Sequence, residues 1–327
     1  LNESINEEWI DDRTRFSYDG LKKNRLDHPY IKDQETKKYR QADWSESIAL
    51  LAKQLTTFKP ENIAAFVGDL CDAESMYALK QLMESLGVQN MECRVDGARF
   101  DVKHKAGYRF NSTIAGIDEA DAILLVGVNP RHEAAVLNAR IRRAHLERGV
   151  PIAMIGEAVD LAYPYYHAGT TMTDLENMAK DYADRVQAQR PLMIVGAGIF
   201  EREDGLALHG ALHDVAEQLG CIQEEWNGFN VLHRAASRMA ALEMGFVPKT
   251  DFDLSEIGLV YLLGTDNSEV LTKIHPQAFV VYQGHHGDAG AHRADLILPG
   301  AAYTEKHGLY MNTCLLYTSD AADDVHR

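Results

Sequence analysis

The chain has 327 residues, of which 49 are Asp or Glu and 33 Lys or Arg, giving a net charge of −16 at neutral pH. That carboxylate excess excludes nonspecific nucleic-acid binding, which needs basic surface against phosphates. No apolar run approaches the ~20 residues of a membrane helix, so no direct membrane span is expected, and the length allows two domains with sizeable cores.

The first 45 residues are charged and dotted with aromatics, without a strand–helix rhythm. Trp44-Ser45-Glu46-Ser47-Ile48 then opens a helix with Ser45 as its expected N-cap and Leu51 and Leu55 on its apolar face. Short apolar runs ending in glycine follow at 63–68, 122–127, 152–156, 192–196, 259–264 and 278–284. Each suits a strand buried on both faces. Between them, 73–86 carries Met76, Leu79, Leu82, Met83 and Leu86 at helical spacing, and 134–147 carries Ala134, Leu137, Ile141 and Ala144. Segments 205–219 and 231–242 read as helices too. The alternation predicts an α/β fold with parallel, doubly wound sheets whose glycine-ended loops share one edge. A last strand, 296–298, stops at Pro299-Gly300 and leads into the polar loop Thr304-Glu305-Lys306-His307-Gly308. Residues 314–327, starting Cys314-Leu315-Leu316-Tyr317-Thr318-Ser319, resemble a translated sequencing adaptor. They are expected to be non-native, leaving a chain truncated at both ends.

His292-Arg293-Ala294-Asp295-Leu296-Ile297-Leu298-Pro299, followed by Glu305, Gly308 and Asn312, resembles a signature of the molybdopterin oxidoreductase superfamily. Other stretches narrow the likeness: Tyr108-Arg109-Phe110-Asn111-Ser112-Thr113-Ile114, the run from Ala120 to Arg131, and Tyr163-Pro164-Tyr165-Tyr166-His167. Together they resemble the large iron–sulfur subunits of NADH:quinone oxidoreductase, respiratory complex I. Ile5 to Ile10, Arg13 to Phe16 and Tyr18 to Leu21 are similar to the exit from that family's preceding iron–sulfur domain.

The resemblance implies Rossmann-like parallel sheets in two lobes, of the formate dehydrogenase domain II/III type. Residues 1–45 would be the connector, 46–92 plus 187–313 one lobe, and 93–186 an inserted lobe. It also implies a structural body without catalytic residues. The 4Fe-4S and 2Fe-2S clusters would lie in a preceding N-terminal portion and no cofactor in this stretch. Implied partners are other peripheral-arm subunits, including the flavin-bearing NADH-binding subunit, with no nucleic acid. The implied location is the cytoplasmic face of the bacterial inner membrane or the matrix side of the mitochondrial one. The alternatives are an active molybdenum or tungsten bis-pterin oxidoreductase such as a formate dehydrogenase, and a freestanding nucleotide-binding module.

Candidate site residues sit at strand ends. Gly68, Asp69, Asn129 and Arg131 occupy loops that cradle the pterin nucleotide in cofactor-bearing relatives, and Asp96 lies roughly where those relatives place a metal ligand. Each has a plainer reading: Asn129 caps a turn, Pro130 opens a helix, Arg131 pairs with Glu133, and Asp96 precedes Gly97 in a turn. Where relatives carry Asp-Pro-Arg this chain has Gly156-Glu157-Ala158, exchanging a cation for a carboxylate. Gly196-Ala197-Gly198 lacks the third glycine of a dinucleotide fingerprint, having Glu201 instead. His285, His286, Asp288 and His292 are metal-like in type but lack helical spacing, so no metal site is expected. Cys71, Cys93, Cys221 and Cys314 are scattered, fitting structural thiols in a reducing compartment. The tyrosine-rich patch suits a contact with a subunit or between lobes.

Overall fold

The computed structural model describes residues 5–185, 188–311, 313 and 317–319. A short helix, α1 (Asp12–Phe16), precedes the antiparallel pair β1 (Tyr30–Lys32) and β2 (Tyr39–Gln41). In α2 (Trp44–Thr57) the N-cap is Asp43, not Ser45: its carboxylate accepts the Glu46 N–H at 2.7 Å. A carboxylate there also complements the positive end of the helix. β3 (Ile63–Val67), α3 (Ala73–Ser85) and β4 (Asn90–Glu92) form a βαβ unit. α3 buries Ala73, Met76, Leu79 and Met83, while Leu82 and Leu86 of the predicted stripe are half-buried.

The chain then builds β5 (Ala122–Val126), α4 (Pro130–Glu133), α5 (Ala135–Arg148), β6 (Ile152–Ile155), β7 (Tyr166–Gly169) and α6 (Met172–Arg185). It continues through β8 (Pro191–Gly196), α7 (Gly205–Gln218) and β9 (Phe229–Leu232). After α8 (Arg238–Met244) come β10 (Leu259–Leu263), α9 (Ser268–Lys273), β11 (Phe279–Gly284), α10 (Ala289–Arg293) and β12 (Leu296–Pro299). The pair β13 (Leu309–Met311) and β14 (Tyr317–Ser319) is antiparallel. The adaptor reading of 314–327 otherwise falls outside the described residues.

Two units result. Residues 5–16 with Gly97–Arg234 hold a five-stranded parallel sheet, ordered β7-β6-β5-β8-β9. Ser17–Asp96 with residues 235–311 hold a seven-stranded sheet, ordered β2-β1-β12-β11-β10-β3-β4. The latter is parallel from β12 to β4, with β1 and β2 added antiparallel at its edge. The doubly wound α/β class is the one the alternation predicted. Two expectations are corrected. The inserted lobe does not end at 186: β8 pairs along its length with β5, from Ala122↔Pro191 to Val126↔Val195, and all six of its residues are buried. A uniformly apolar strand does not announce which sheet it joins. Nor is 231–242 one helix, since its first residues complete the fully buried strand β9 before α8 starts.

Each sheet reverses its strand order once, between β3 and β10 in one and between β5 and β8 in the other. Ligands of open α/β sheets bind at such points. Here the registers set glycine opposite glycine just beyond the paired strands. A Cβ on Gly68 would lie 1.8 Å from the Gly264 carbonyl oxygen, and one on Gly196 would lie 2.3 Å from that of Gly127. The glycines admit neighbouring backbone rather than a ligand. Gly68→Ala is therefore expected to cost about 2–3 kcal/mol through overpacking. Gly210→Ala, in α7 with open space around the added carbon, should add about 0.5–1 kcal/mol of helix propensity. Urea midpoints of the two variants check this, and equal midpoints would refute the close-contact argument.

Candidate functional site

In the seven-stranded unit, the loops after β3, β10, β11 and β12 surround a cavity of about 490 Å³ whose lining includes Gly68, Asp69, Asp72, Asp266, Asp288 and Lys306. Asp72 caps α3 through the Ser75 N–H at 2.8 Å and also accepts from Lys306. Burial raises its pKa, but the lysine and the Ser75 N–H outweigh that and hold the carboxyl below its usual range. Asp266 accepts the Tyr282 hydroxyl at 3.0 Å and the Gly290 N–H at 2.8 Å, and burial pushes its carboxyl up. Tyr282 also lines the cavity and lies against Gly284 and Gly290, where a Cβ would meet its hydroxyl at 2.5 Å and its ring at 2.6 Å.

Gly68, Asp69 and Asp96 converge on two residues that the sequence patterns did not single out, Ser237 and Arg238. Ser237 Oγ donates to the Gly68 carbonyl at 2.6 Å, and its N–H donates to that of Asp69 at 3.0 Å. Asp96 receives Arg238 Nη2 at 2.9 Å, from a guanidinium side chain only 2% exposed. Loss of surrounding water pushes the Asp69 carboxyl up, against the opposing pull of Arg238. Asp96 thus neutralises a buried arginine, a role a metal ion would disrupt. The signal was faint because Ser237 and Arg238 lie within a stretch whose periodicity reads as one helix.

Asn129 and Arg131 belong to the five-stranded unit. Asn129 stands at the N-cap of α4 without a side-chain capping bond; Glu133 instead accepts the Asn129 N–H at 2.7 Å. Arg131 does not pair with Glu133 but with Asp160, at 2.7 Å. Glu133 and Glu201 bracket Arg234 at 3.4 and 3.2 Å, and that guanidinium lies where a Cβ on Gly198 would be, 2.2 Å away. Lys306, Arg238, Arg131 and Arg234 therefore each already hold a carboxylate. An anionic nucleotide arriving at either set of strand ends would face carboxylates and self-packed glycines. The residues present do not fit the phosphates of a pterin nucleotide.

His285 and His286 are engaged within their own unit. His286 Nε2 donates to the Gly20 carbonyl at 2.8 Å, and its Nδ1 meets Nδ1 of His285. Burial, then the neighbouring His286, pushes the His285 pKa down. Among the described residues no three His, Cys, Asp or Glu side chains are grouped to hold a metal. In the aromatic patch, Tyr163 is buried with its hydroxyl donating to Asn138 at 2.6 Å, and Tyr165 closes its own loop onto Val159. Tyr166 alone of the three is mostly exposed, at 68%. Glu305, from the superfamily signature, binds Arg25 and accepts the Ala302 N–H at 2.9 Å, which together hold its pKa at about 2 against an ordinary 4.5.

Two outcomes follow from these environments. A carboxyl depressed on folding stabilises above its unfolded pKa and loses that contribution as pH falls through the folded value. Glu305 should thus contribute above pH 4.5 and fade toward pH 2. Glu305→Gln is expected to flatten the acid limb of thermal stability in that window, by at most about 1 kcal/mol because the pair is solvent-screened. Cys71, Cys93 and Cys221 are buried, and burial pushes each thiol up to about 12. A thiol-titrating reagent at pH 8 should find them silent in the native protein and reactive after denaturation.

Comparison with known proteins places this geometry. The family model described as Molybdopterin oxidoreductase matches residues 25–319, and one described as the NADH-ubiquinone oxidoreductase NDSU1/NuoG-like 4Fe-4S domain matches residues 1–19. The mitochondrial NADH dehydrogenase [ubiquinone] iron-sulfur protein 1 of Solanum tuberosum is 42% identical over 99% of this chain and 45% of its own length. The mitochondrial NADH-ubiquinone oxidoreductase 78 kDa subunit of Neurospora crassa is 41% identical over 96% of the chain and 43% of its own length. The chain thus spans less than half the length of these curated relatives. Among solved structures, the formyltransferase/hydrolase complex of Methylorubrum extorquens superposes with TM-score 0.62 at 15% identity, covering 89% of this chain and 92% of that one. Acetylene hydratase of Pelobacter acetylenicus gives 0.54 at 12% identity, over 93% and 59%. These two likenesses concern the fold alone. By its matched length, its sheets and its signature, the chain belongs to the molybdopterin oxidoreductase family, and its relatives are the large iron–sulfur subunits of NADH:quinone oxidoreductase.

Proposed function

We propose that this chain is the α/β body of a large iron–sulfur subunit of respiratory complex I, and that it supports electron transfer from NADH to quinone without performing the chemistry itself. Clusters of the 4Fe-4S and 2Fe-2S types are carried by the portion to which residues 1–19 belong. Its partners are peripheral-arm subunits, the flavin-bearing NADH-binding subunit among them. It works on the cytoplasmic face of a bacterial inner membrane or the matrix face of a mitochondrial one. Gly68, Asp69, Asp96, Asn129 and Arg131 then serve as structural residues at what are binding loops in cofactor-bearing relatives. One observation carries the reading: the cations at both sets of strand ends are already committed to carboxylates, as in Arg238–Asp96 and Arg131–Asp160.

Elemental analysis of the full-length gene product that contains this chain, beside the chain alone, tests the reading. Iron in the former, with neither molybdenum nor tungsten in either, is the expected result. Stoichiometric molybdenum or tungsten would overturn it in favour of an active bis-pterin oxidoreductase.

A further inference from the structure

Residues 5–16 lie within the five-stranded unit, yet they bury little apolar surface there. None of α1 is buried, and Trp9 and Ile10 are 71% and 54% exposed. What the segment does bury is charge. Arg140 and Arg143, one helical turn apart on α5, each reach both Glu7 and Asp118. Arg140 donates from Nε to Glu7 at 2.8 Å and from Nη1 to Asp118 at 3.1 Å; Arg143 donates from Nη1 to Glu7 at 3.0 Å and from Nη2 to Asp118 at 3.1 Å. Two guanidinium forks thus bridge two carboxylates in a closed ring of four ion pairs. Its side chains are not those of a loose surface pair, since Arg140 is 1% exposed and Glu7 12%. Withdrawing Glu7 would strip a nearly dry arginine of a counter-charge, which ties the segment's departure to the desolvation penalty of that cation.

Glu7 lies inside the stretch that matches the 4Fe-4S domain, while Arg140, Arg143 and Asp118 lie inside the oxidoreductase-family stretch. We infer that Arg140 and Arg143 are positioning residues: with Asp118 they form the socket by which the α/β body grips the end of the iron–sulfur domain and fixes where its clusters stand. This rests on the electron-transfer reading above. The fork geometry is what the role requires, because two planar guanidinium groups bridging two carboxylates define an orientation, whereas a point charge defines only a distance.

The full-length gene product tests it, through Glu7→Gln, Arg143→Met, the double variant and Arg143→Lys. Arg140 is left in place because its loss from the core invites misfolding. Amide exchange of residues 5–16 should speed up about tenfold in each of the first two, and no further in the double variant. Arg143→Lys should restore only part of the protection. The distribution of distances between a nitroxide label on the α/β body and a reduced cluster, read by pulsed EPR, should broaden in the first two variants as the domain samples several orientations, with iron content unchanged. Unchanged exchange at 5–16 with iron present would refute the socket. Faster exchange with an unaltered distance distribution would reduce it to a tether and overturn the positioning role. Absence of iron from the unsubstituted protein would sink the electron-transfer reading itself and the positioning role with it.

Discussion

The contact on which the strand-end architecture depends is backbone against backbone. At both points where the strand order reverses, the register leaves a glycine opposite a glycine, Gly68 with Gly264 and Gly127 with Gly196. Elsewhere in open α/β folds, such glycines let a loop close around a phosphate. Here Gly68 and Gly196 each admit the carbonyl of the opposite glycine, with Ile199 packed over Gly127 as well. The loops are thereby held by their own polypeptide, and every side chain launched from them inherits a fixed place. Asp72 caps α3, Asp266 holds Tyr282, and Ser237 ties down the loop of Gly68.

Electrostatics follow from that closure. In a chain of net charge −16, a cation near a strand end finds a carboxylate within the protein before it meets an external anion. Most of these pairs are exposed and individually weak. Arg238 and Arg140 differ because both are nearly fully buried, where breaking a pair costs far more than making it contributes. Such pairs impose position more than stability. The role proposed above, holding neighbouring redox centres in place, needs position, and the arrangement suits that work better than binding a nucleotide.

Much of the fold was legible in the sequence. Apolar runs ending in glycine became β3, β5, β6, β8, β10 and β11, because a strand buried on both faces must be uniformly apolar. The stripe of Met76, Leu79 and Met83 became the buried face of α3, because helical spacing puts those side chains on one side. Gly68, Asp69, Asn129 and Arg131 do follow strands, but the partners of the charged residues were not legible. Arg131 chose Asp160, 29 positions away, over its neighbour Glu133, and Asp96 chose Arg238, 142 positions away.

By itself, then, the sequence determined the α/β class, the positions of the apolar strands that end in glycine and the family, all of which live in local patterns of polarity and in short motifs. Only the tertiary structure decided that β8 and β9 belong to the inserted sheet, that glycine faces glycine at the switch points, and which carboxylate each cation holds. Those are outcomes of register and of chain return across tens to hundreds of residues. A local pattern specifies that a residue will be buried or charged, and carries no record of which distant partner arrives to meet it.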